Sequence, residues 1–227
     1  MEEINTSNAY AGAGGPREEY SSIENVIRKN KFKRKIVKDL VPEVKRVSTK
    51  TCIGSLKFLF WGEEFSKQSV SIKAGKGFEE AFKFAIRDIE ENFSLVDCGK
   101  PGKDGDCPHE IDLCFQNERK IYYFELKANI DLDTEKLPAT CIKVQNVHKY
   151  LETKFPGFEI ISGVLNWSVF DKEDCIKNKT NKSKLKKFNS RETKVIFFND
   201  FCKIIDINFS KEEFYSFFRE VGDLLRR

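Results

Sequence analysis

The pattern of apolar and polar positions along the chain predicts an α/β protein. Within residues 78–93, apolar side chains recur at the i, i+3, i+4 and i+7 spacing of a helix that buries one side. This helix is flanked by shorter runs that either alternate apolar and polar residues or are continuously apolar, as is typical of strands. Residues 77–165 therefore follow the order helix, three strands, helix, strand, which is typical of the α/β class.

The elements of this segment and their neighbours can be placed approximately. The predicted strands cover 93–99, 110–115, 120–127 and 158–170, and the second helix covers 139–155, before Pro156 and Gly157. Upstream, 22–48 favours one or two helical pieces interrupted at Pro42, and 51–65 and 68–75 favour strands with a turn at Gly62. Downstream, a lysine-rich loop at 177–188 precedes strands at 193–199 and 203–209. A last helix is predicted from Ser210 to the end of the sequence, with Ser210 and Glu213 at capping-box spacing.

Composition excludes several classes of protein and site. The chain has 227 residues, 40% of them hydrophobic, and no apolar run approaches the roughly 18 residues that span a bilayer. We expect a cytoplasmic protein, because the first residues lack the basic and apolar regions of a secretory signal. The seven scattered cysteines are expected to be reduced structural thiols, and two histidines are too few for a usual Cys/His zinc site. No phosphate-binding GxxxxGK[ST] loop is present, so no nucleotide cofactor is expected.

Charge is distributed unevenly, although the net charge is only +4. Basic residues concentrate in 28–46 and in 177–187, while acidic residues gather in the middle of the chain. Basic segments around an acidic centre suit a polyanion held over a metal ion. The residues predicted to contact DNA are Lys33, Arg34, Lys35, Lys182, Lys184, Lys186 and Lys187. Solvated charged surfaces are the alternative interpretation of both segments.

The strands at 110–115 and 120–127 carry the chemically informative residues. A tight turn at Glu118 and Arg119 would place Asp112 opposite Glu125, and side chains in opposed positions lie on one face about 5 Å apart. Lys127 follows on the same face, because residues two apart in a strand point the same way. Adjacent carboxylates repel unless a cation joins them, and oxygen ligands favour Mg²⁺, Mn²⁺ or Ca²⁺. The hairpin therefore predicts a site for a hard divalent cation.

Five Glu-x-Lys tripeptides occur in the chain, and only Glu125-Leu126-Lys127 lies on an apolar strand with an aspartate predicted opposite. Asp112 followed by this tripeptide resembles the PD-(D/E)xK nuclease superfamily, the fold of many type II restriction endonucleases. The resemblance covers about residues 77–165 and implies a mixed central sheet flanked by helices. Asp112 follows Ile111 where the family has proline, so Glu110 or Asp106 remains an alternative partner of Glu125.

By this resemblance, Asp112 and Glu125 would bind Mg²⁺ and Lys127 would orient or help to deprotonate the attacking water. Family members often add a glutamate from the helix before the sheet, and Glu79 is the candidate. The expected function is Mg²⁺-dependent, sequence-specific hydrolysis of double-stranded DNA by a homodimer. A structure-specific or repair nuclease of the same fold, or a non-catalytic nucleic-acid-binding protein, are the alternatives.

The domain organisation follows from the same interpretation. Residues 1–21 are expected to be flexible, and 22–227 to form a single nuclease domain. Its catalytic core would be about 77–165, with 22–76 and 166–227 as additions for DNA reading and dimer contacts. Asparagines in the second addition are candidates for base contacts: Asn166, Asn178, Asn181 and Asn189.

Overall fold

A computed structural model describes residues 16–48, 67–89, 92–99, 101 and 107–226. Its helices are α1 (Pro16–Ser48), α2 (Lys67–Phe84, followed by a π-helical turn, Ala85–Ile89), α3 (Lys136–Lys154), α4 (Lys172–Lys177), α5 (Lys179–Asn189), α6 (Phe198–Ile204) and α7 (Lys211–Arg226). Its strands are β1 (Ser94–Leu95), β2 (Leu113–Asn117), β3 (Lys120–Lys127), β4 (Glu159–Asn166) and β5 (Val195–Phe197).

The five strands form one mixed sheet in the order β1-β2-β3-β4-β5. β1, β2 and β3 pair antiparallel, whereas β3, β4 and β5 pair parallel. The parallel β3–β4 pair requires a crossover connection, and α3 provides it. From α2 to β4 the observed order is the predicted helix, three strands, helix, strand.

Helices cover both faces of the sheet, so that its strands alternate between two hydrophobic clusters. Phe124 and Leu165 pack on the first face, in the cluster that contains the buried residues of α1, α2, α6 and α7. Tyr123 and Val164 pack on the second face, against α3 and α5. Glu125 and Lys127 follow Tyr123 at strand spacing and therefore belong to the second face.

The basic segment before the sheet is one continuous helix, so the predicted interruption at Pro42 is wrong. Pro42 lies inside α1, which extends to Ser48. Apolar residues at helical spacing, from Phe32 through Ile36 and Leu40 to Val44, are buried against the first face. This packing continues past Pro42 and outweighs the local loss of one backbone donor.

The predicted strand at 68–75 is also wrong, because α2 begins at Lys67 and includes these residues. A Cβ atom at Gly77 would lie 3.1 Å from Leu40 Cδ1, so α1 and α2 approach closely at this glycine. Contact with α1 stabilises helix where the local pattern suggested strand. The strand predicted at 51–65, with its turn at Gly62, lies outside the described residues, as do residues 1–15 of the segment expected to be flexible.

Three predictions for the last third of the chain need correction. The lysine-rich segment is helical rather than a loop, because Leu185 and Phe188 of α5 are buried on the second face. Residues 203–209 are not a strand: α6 ends at Ile204, and the following turn leads to α7. Of the strand predicted at 193–199, only Val195–Phe197 is strand, and Phe198 and Asn199 already belong to α6. The capping box of α7 is confirmed, since Ser210 N donates to Glu213 Oε2 and Glu213 N to Ser210 Oγ.

Candidate active site

The β2–β3 hairpin places Asp112 and Glu125 beside each other, as predicted. Leu113 pairs with Phe124 and Asn117 with Lys120, so the turn consists of Glu118 and Arg119. Continued by one residue, this register sets Asp112 opposite Glu125. Leu126 N donates a 2.9 Å hydrogen bond to Asp112 Oδ2, which fixes this carboxylate at the end of β3.

Two lysines hold the two carboxylates. Lys127 Nζ lies 2.7 Å from Glu125 Oε1, on the same strand face. Lys143 Nζ, from α3, lies 2.5 Å from Glu125 Oε2 and 3.5 Å from Asp112 Oδ1. The group therefore contains two negative and two positive charges, joined by direct contacts between β3, α3 and the residue that precedes β2.

Lys143 is the residue that the sequence interpretation missed. α3 buries Thr140, Val144 and Val147 against the second face, and Lys143 lies at the margin of that apolar stripe. The signal available in the sequence was a lysine beside the apolar stripe of the helix predicted at 139–155. It could not be used because the rotation of α3 about its own axis is set by packing on the sheet.

The pKa values of the two carboxylates are shifted in opposite directions, upward for Asp112 and downward for Glu125. Burial raises the pKa of Asp112 to about 6, and the negative charge of Glu125 contributes in the same direction. Glu125 is only 4% exposed, which opposes its ionisation. The charges and hydrogen bonds of Lys127 and Lys143 outweigh this burial and hold the pKa of Glu125 below its ordinary value. Tyr123 Oη also donates to Glu125 Oε2, at 3.3 Å.

The donor set fits Mg²⁺ better than a transition metal. Asp112 and Glu125 supply carboxylate oxygens, and Mg²⁺ sites commonly use one or two carboxylates together with waters and substrate phosphates. Among the residues that the structure describes, no three His, Cys, Asp or Glu side chains are grouped to hold a metal ion. Six of the seven cysteines lie in the described ranges, and all six are free and buried.

Glu79, the third acidic candidate, is not in contact with these carboxylates. Its Oε1 accepts a 2.5 Å hydrogen bond from Lys83, one turn further along α2. Lys83 lines a cavity of about 260 Å³ together with Asp112 and Glu110, so Glu79 borders the site through its lysine partner. The alternative ligand Glu110 is exposed at the same cavity, and Asp106 lies outside the described residues.

The predicted DNA-contacting residues divide between the two faces of the sheet. α1 packs on the first face, where Lys33 Nζ lies over the rings of Phe209 and Phe217 and Lys35 pairs with Asp39. The second basic segment forms α5 on the second face, which also carries Glu125 and Lys127. The structure thus brings only the second segment to the side of the candidate site.

Asn166 differs from the other asparagines proposed for base contacts. It ends β4 directly beside Lys127 and is 0% exposed. Neither its Nδ2 nor its Oδ1 has a hydrogen-bond partner among the described residues. Asn178 instead accepts hydrogen bonds from Thr180 N and Asn181 N and caps α5. Burial of Asn166 leaves no surface with which it can reach a base in this conformation.

Comparison with known proteins relates the chain distantly to restriction enzymes. It is 31% identical over 98 residues to the type II restriction enzyme HinfI of Haemophilus influenzae. The alignment covers 42% of this chain and 33% of that enzyme, so the chain spans about a third of the relative's length. No family model and no solved structure matches the chain. None of the described helices is both long and apolar enough to cross a membrane.

Proposed function

We propose that the chain is a Mg²⁺-dependent type II endonuclease that hydrolyses double-stranded DNA at a specific sequence. The observation that carries this proposal is the group of Asp112, Glu125 and Lys127 at the open end of the β2–β3 hairpin, where Lys127 contacts Glu125 and Lys143 contacts both carboxylates. The distant likeness to a type II restriction enzyme supports the same class of reaction. The five-stranded mixed sheet flanked by helices is consistent with a restriction-endonuclease-like core.

In this proposal each charged residue of the site has a distinct role. Asp112 and Glu125 would hold Mg²⁺ through carboxylate oxygens. The bound cation would lower the pKa of water and neutralise charge that develops on the phosphate during in-line attack. Lys127, whose Nζ contacts Glu125, would hold the attacking water beside the phosphate. Lys143 supplies a second positive charge close to both carboxylates, where it can stabilise negative charge on the phosphate.

A homodimer belongs to the same proposal. A sequence-specific nuclease that reads a palindrome meets two equivalent half-sites, and two copies related by a two-fold axis match them. The second face, which carries the candidate site and α5, would then be oriented towards the DNA in each copy.

The experiment that tests the function is digestion of a long unmethylated DNA with the full chain, in Mg²⁺ and in EDTA. Discrete bands that require Mg²⁺ would support the proposal. A smear would contradict sequence specificity, and cleavage confined to branched DNA would favour a structure-specific nuclease. Intact DNA of every kind, with binding retained, would favour a non-catalytic binding protein.

The assignment of residues is tested with variants in the same assay. Asp112→Ala and Lys127→Ala should each lower the cleavage rate by at least about 100-fold while DNA binding stays measurable. Lys120→Ala is the matched control, because Lys120 lies at the other end of β3 in another Glu-x-Lys tripeptide and is exposed. Full activity in both test variants would refute the assignment.

A further inference from the structure

On the second face of the sheet, two neighbouring cavities with basic linings extend from the candidate site to α5. The first, the site-side cavity, has a volume of about 360 Å³ and is lined by His109, Lys127, Lys136, Thr140 and Lys143 among others. The second, the α5 cavity, has a volume of about 480 Å³ and is lined by Asp133, Leu137, Lys184, Lys187 and Arg191 among others. The first turns of α3 contribute to both linings.

The two cavities are joined by a direct contact. Leu132 lines the site-side cavity, and its carbonyl oxygen accepts a hydrogen bond from Lys184 Nζ, which lines the α5 cavity. Lys184 Nζ also lies 3.6 Å from Asp131 Oδ1. Lys184 therefore fixes α5 against the segment that leads into α3, and the basic linings form one continuous surface.

The charges of this surface are mostly positive, and two of those in the α5 cavity, at Lys187 and Arg191, are unpaired among the described residues. Lys136 is within 3.3 Å of Asp133, the acidic residue of the α5 cavity. Lys187 and Arg191 are exposed, and their side chains form no ion pair with any residue in the described part of the chain. Unpaired cations beside a phosphodiester-cleaving site favour a polyanion, because each phosphate contact releases condensed counterions.

Helix geometry divides the basic residues of α5 into two groups. Lys182 and Lys186 are each two residues from Lys184, which places them about 160° around the helix from it. Lys187 is about 60° from Lys184 and shares its side. In agreement, Lys184 and Lys187 line the α5 cavity, whereas Lys182 and Lys186 do not. The four lysines therefore do not form one binding surface.

We propose that the DNA backbone runs from the candidate site along the two cavities, and that Lys187 and Arg191 bind its phosphates while Lys182 and Lys186 do not. This proposal rests on the proposed function for the identity of the polyanion. It assigns Arg191, which the charge pattern alone did not single out, to the DNA interface. The duplex thereby lies over the first turns of α3, on the second face of the sheet.

The test compares two charge-matched double variants of the full chain, Lys187→Ala/Arg191→Ala and Lys182→Ala/Lys186→Ala. Affinity for a short fluorescein-labelled duplex is measured by anisotropy in EDTA, at salt concentrations from about 50 to 200 mM. Loss of two phosphate contacts makes the negative slope of the log association constant against log salt shallower by about 1.8, and weakens binding about 60-fold near 0.1 M salt. The Lys182→Ala/Lys186→Ala control should change the slope by less than half of this amount.

Equal effects of the two double variants, an unchanged slope for Lys187→Ala/Arg191→Ala, or no binding of wild type to the duplex would each overturn the proposal. All four residues are exposed, so we expect both variants to fold as the wild type does. Unchanged circular dichroism and melting temperature would confirm this. The outcome is separable from cleavage. A difference between the pairs without Mg²⁺-dependent cleavage of any DNA would support the interface and reject the nuclease. Mg²⁺-dependent cleavage together with equal effects of the two double variants would support the nuclease and reject the interface.

Discussion

Replacement of Asp112 by asparagine should stabilise the protein in EDTA, by an amount that depends on pH. Burial beside Glu125 raises the pKa of Asp112 from an ordinary 3.8 to about 6. Folding therefore favours the protonated, neutral form of this side chain, and ionised Asp112 destabilises the folded state. Asparagine is neutral at every pH, and its side-chain oxygen can still accept the hydrogen bond from Leu126 N.

The magnitude follows from the difference between the two pKa values. Below an ordinary aspartate pKa, Asp112 is protonated in both states and has no effect on stability. As pH rises, the unfolded state loses its proton first, and the destabilisation reaches about 3 kcal/mol above the folded-state pKa. Asp112→Asn should thus raise the free energy of unfolding above that of wild type by about 3 kcal/mol near pH 8, about 1.5 kcal/mol near pH 5 and about 0.5 kcal/mol near pH 4.

The assay is urea unfolding of wild type and Asp112→Asn at each of these pH values in EDTA, because the difference between them cancels the titration of other groups. A second series adds Mg²⁺, which should stabilise wild type by about 2.7 kcal/mol at a concentration 100 times its Kd and leave the variant unchanged. A variant that is less stable than wild type near pH 8 would refute the reasoning. It would mean that attraction to Lys127 and Lys143 outweighs the burial of Asp112.

Two further predictions concern residues at the same end of the sheet. Lys143→Met should destabilise the protein in EDTA by about 1–3 kcal/mol, below the usual range for a broken buried pair because Lys127 still contacts Glu125. Mg²⁺ should reduce this loss in urea unfolding, and an equal loss with and without Mg²⁺ would contradict a shared site. Asn166→Leu should raise the melting temperature, because each unpaired buried polar group costs about 1–3 kcal/mol; a lower melting temperature would show that the amide is stabilising.

The hairpin was predictable from sequence because its determinants are local. The strands alternate with a period of two, and a two-residue turn at Glu118 and Arg119 fixes which residues oppose each other. Once these are known, the juxtaposition of Asp112 and Glu125 follows without any knowledge of the rest of the chain. The order of elements from α2 to β4 and the capping box of α7 were predictable for the same reason.

Tertiary packing decided the features that the sequence left open or suggested wrongly. Residues 68–75 are helical, and α1 continues through Pro42, because contact between the two helices stabilises both. Whether a basic segment can reach the site depends on the sheet face against which its helix packs, and short-range periodicity carries no information about that. The approach of Lys143 to both carboxylates likewise depends on the rotation of α3, which the apolar contacts of the whole second face determine.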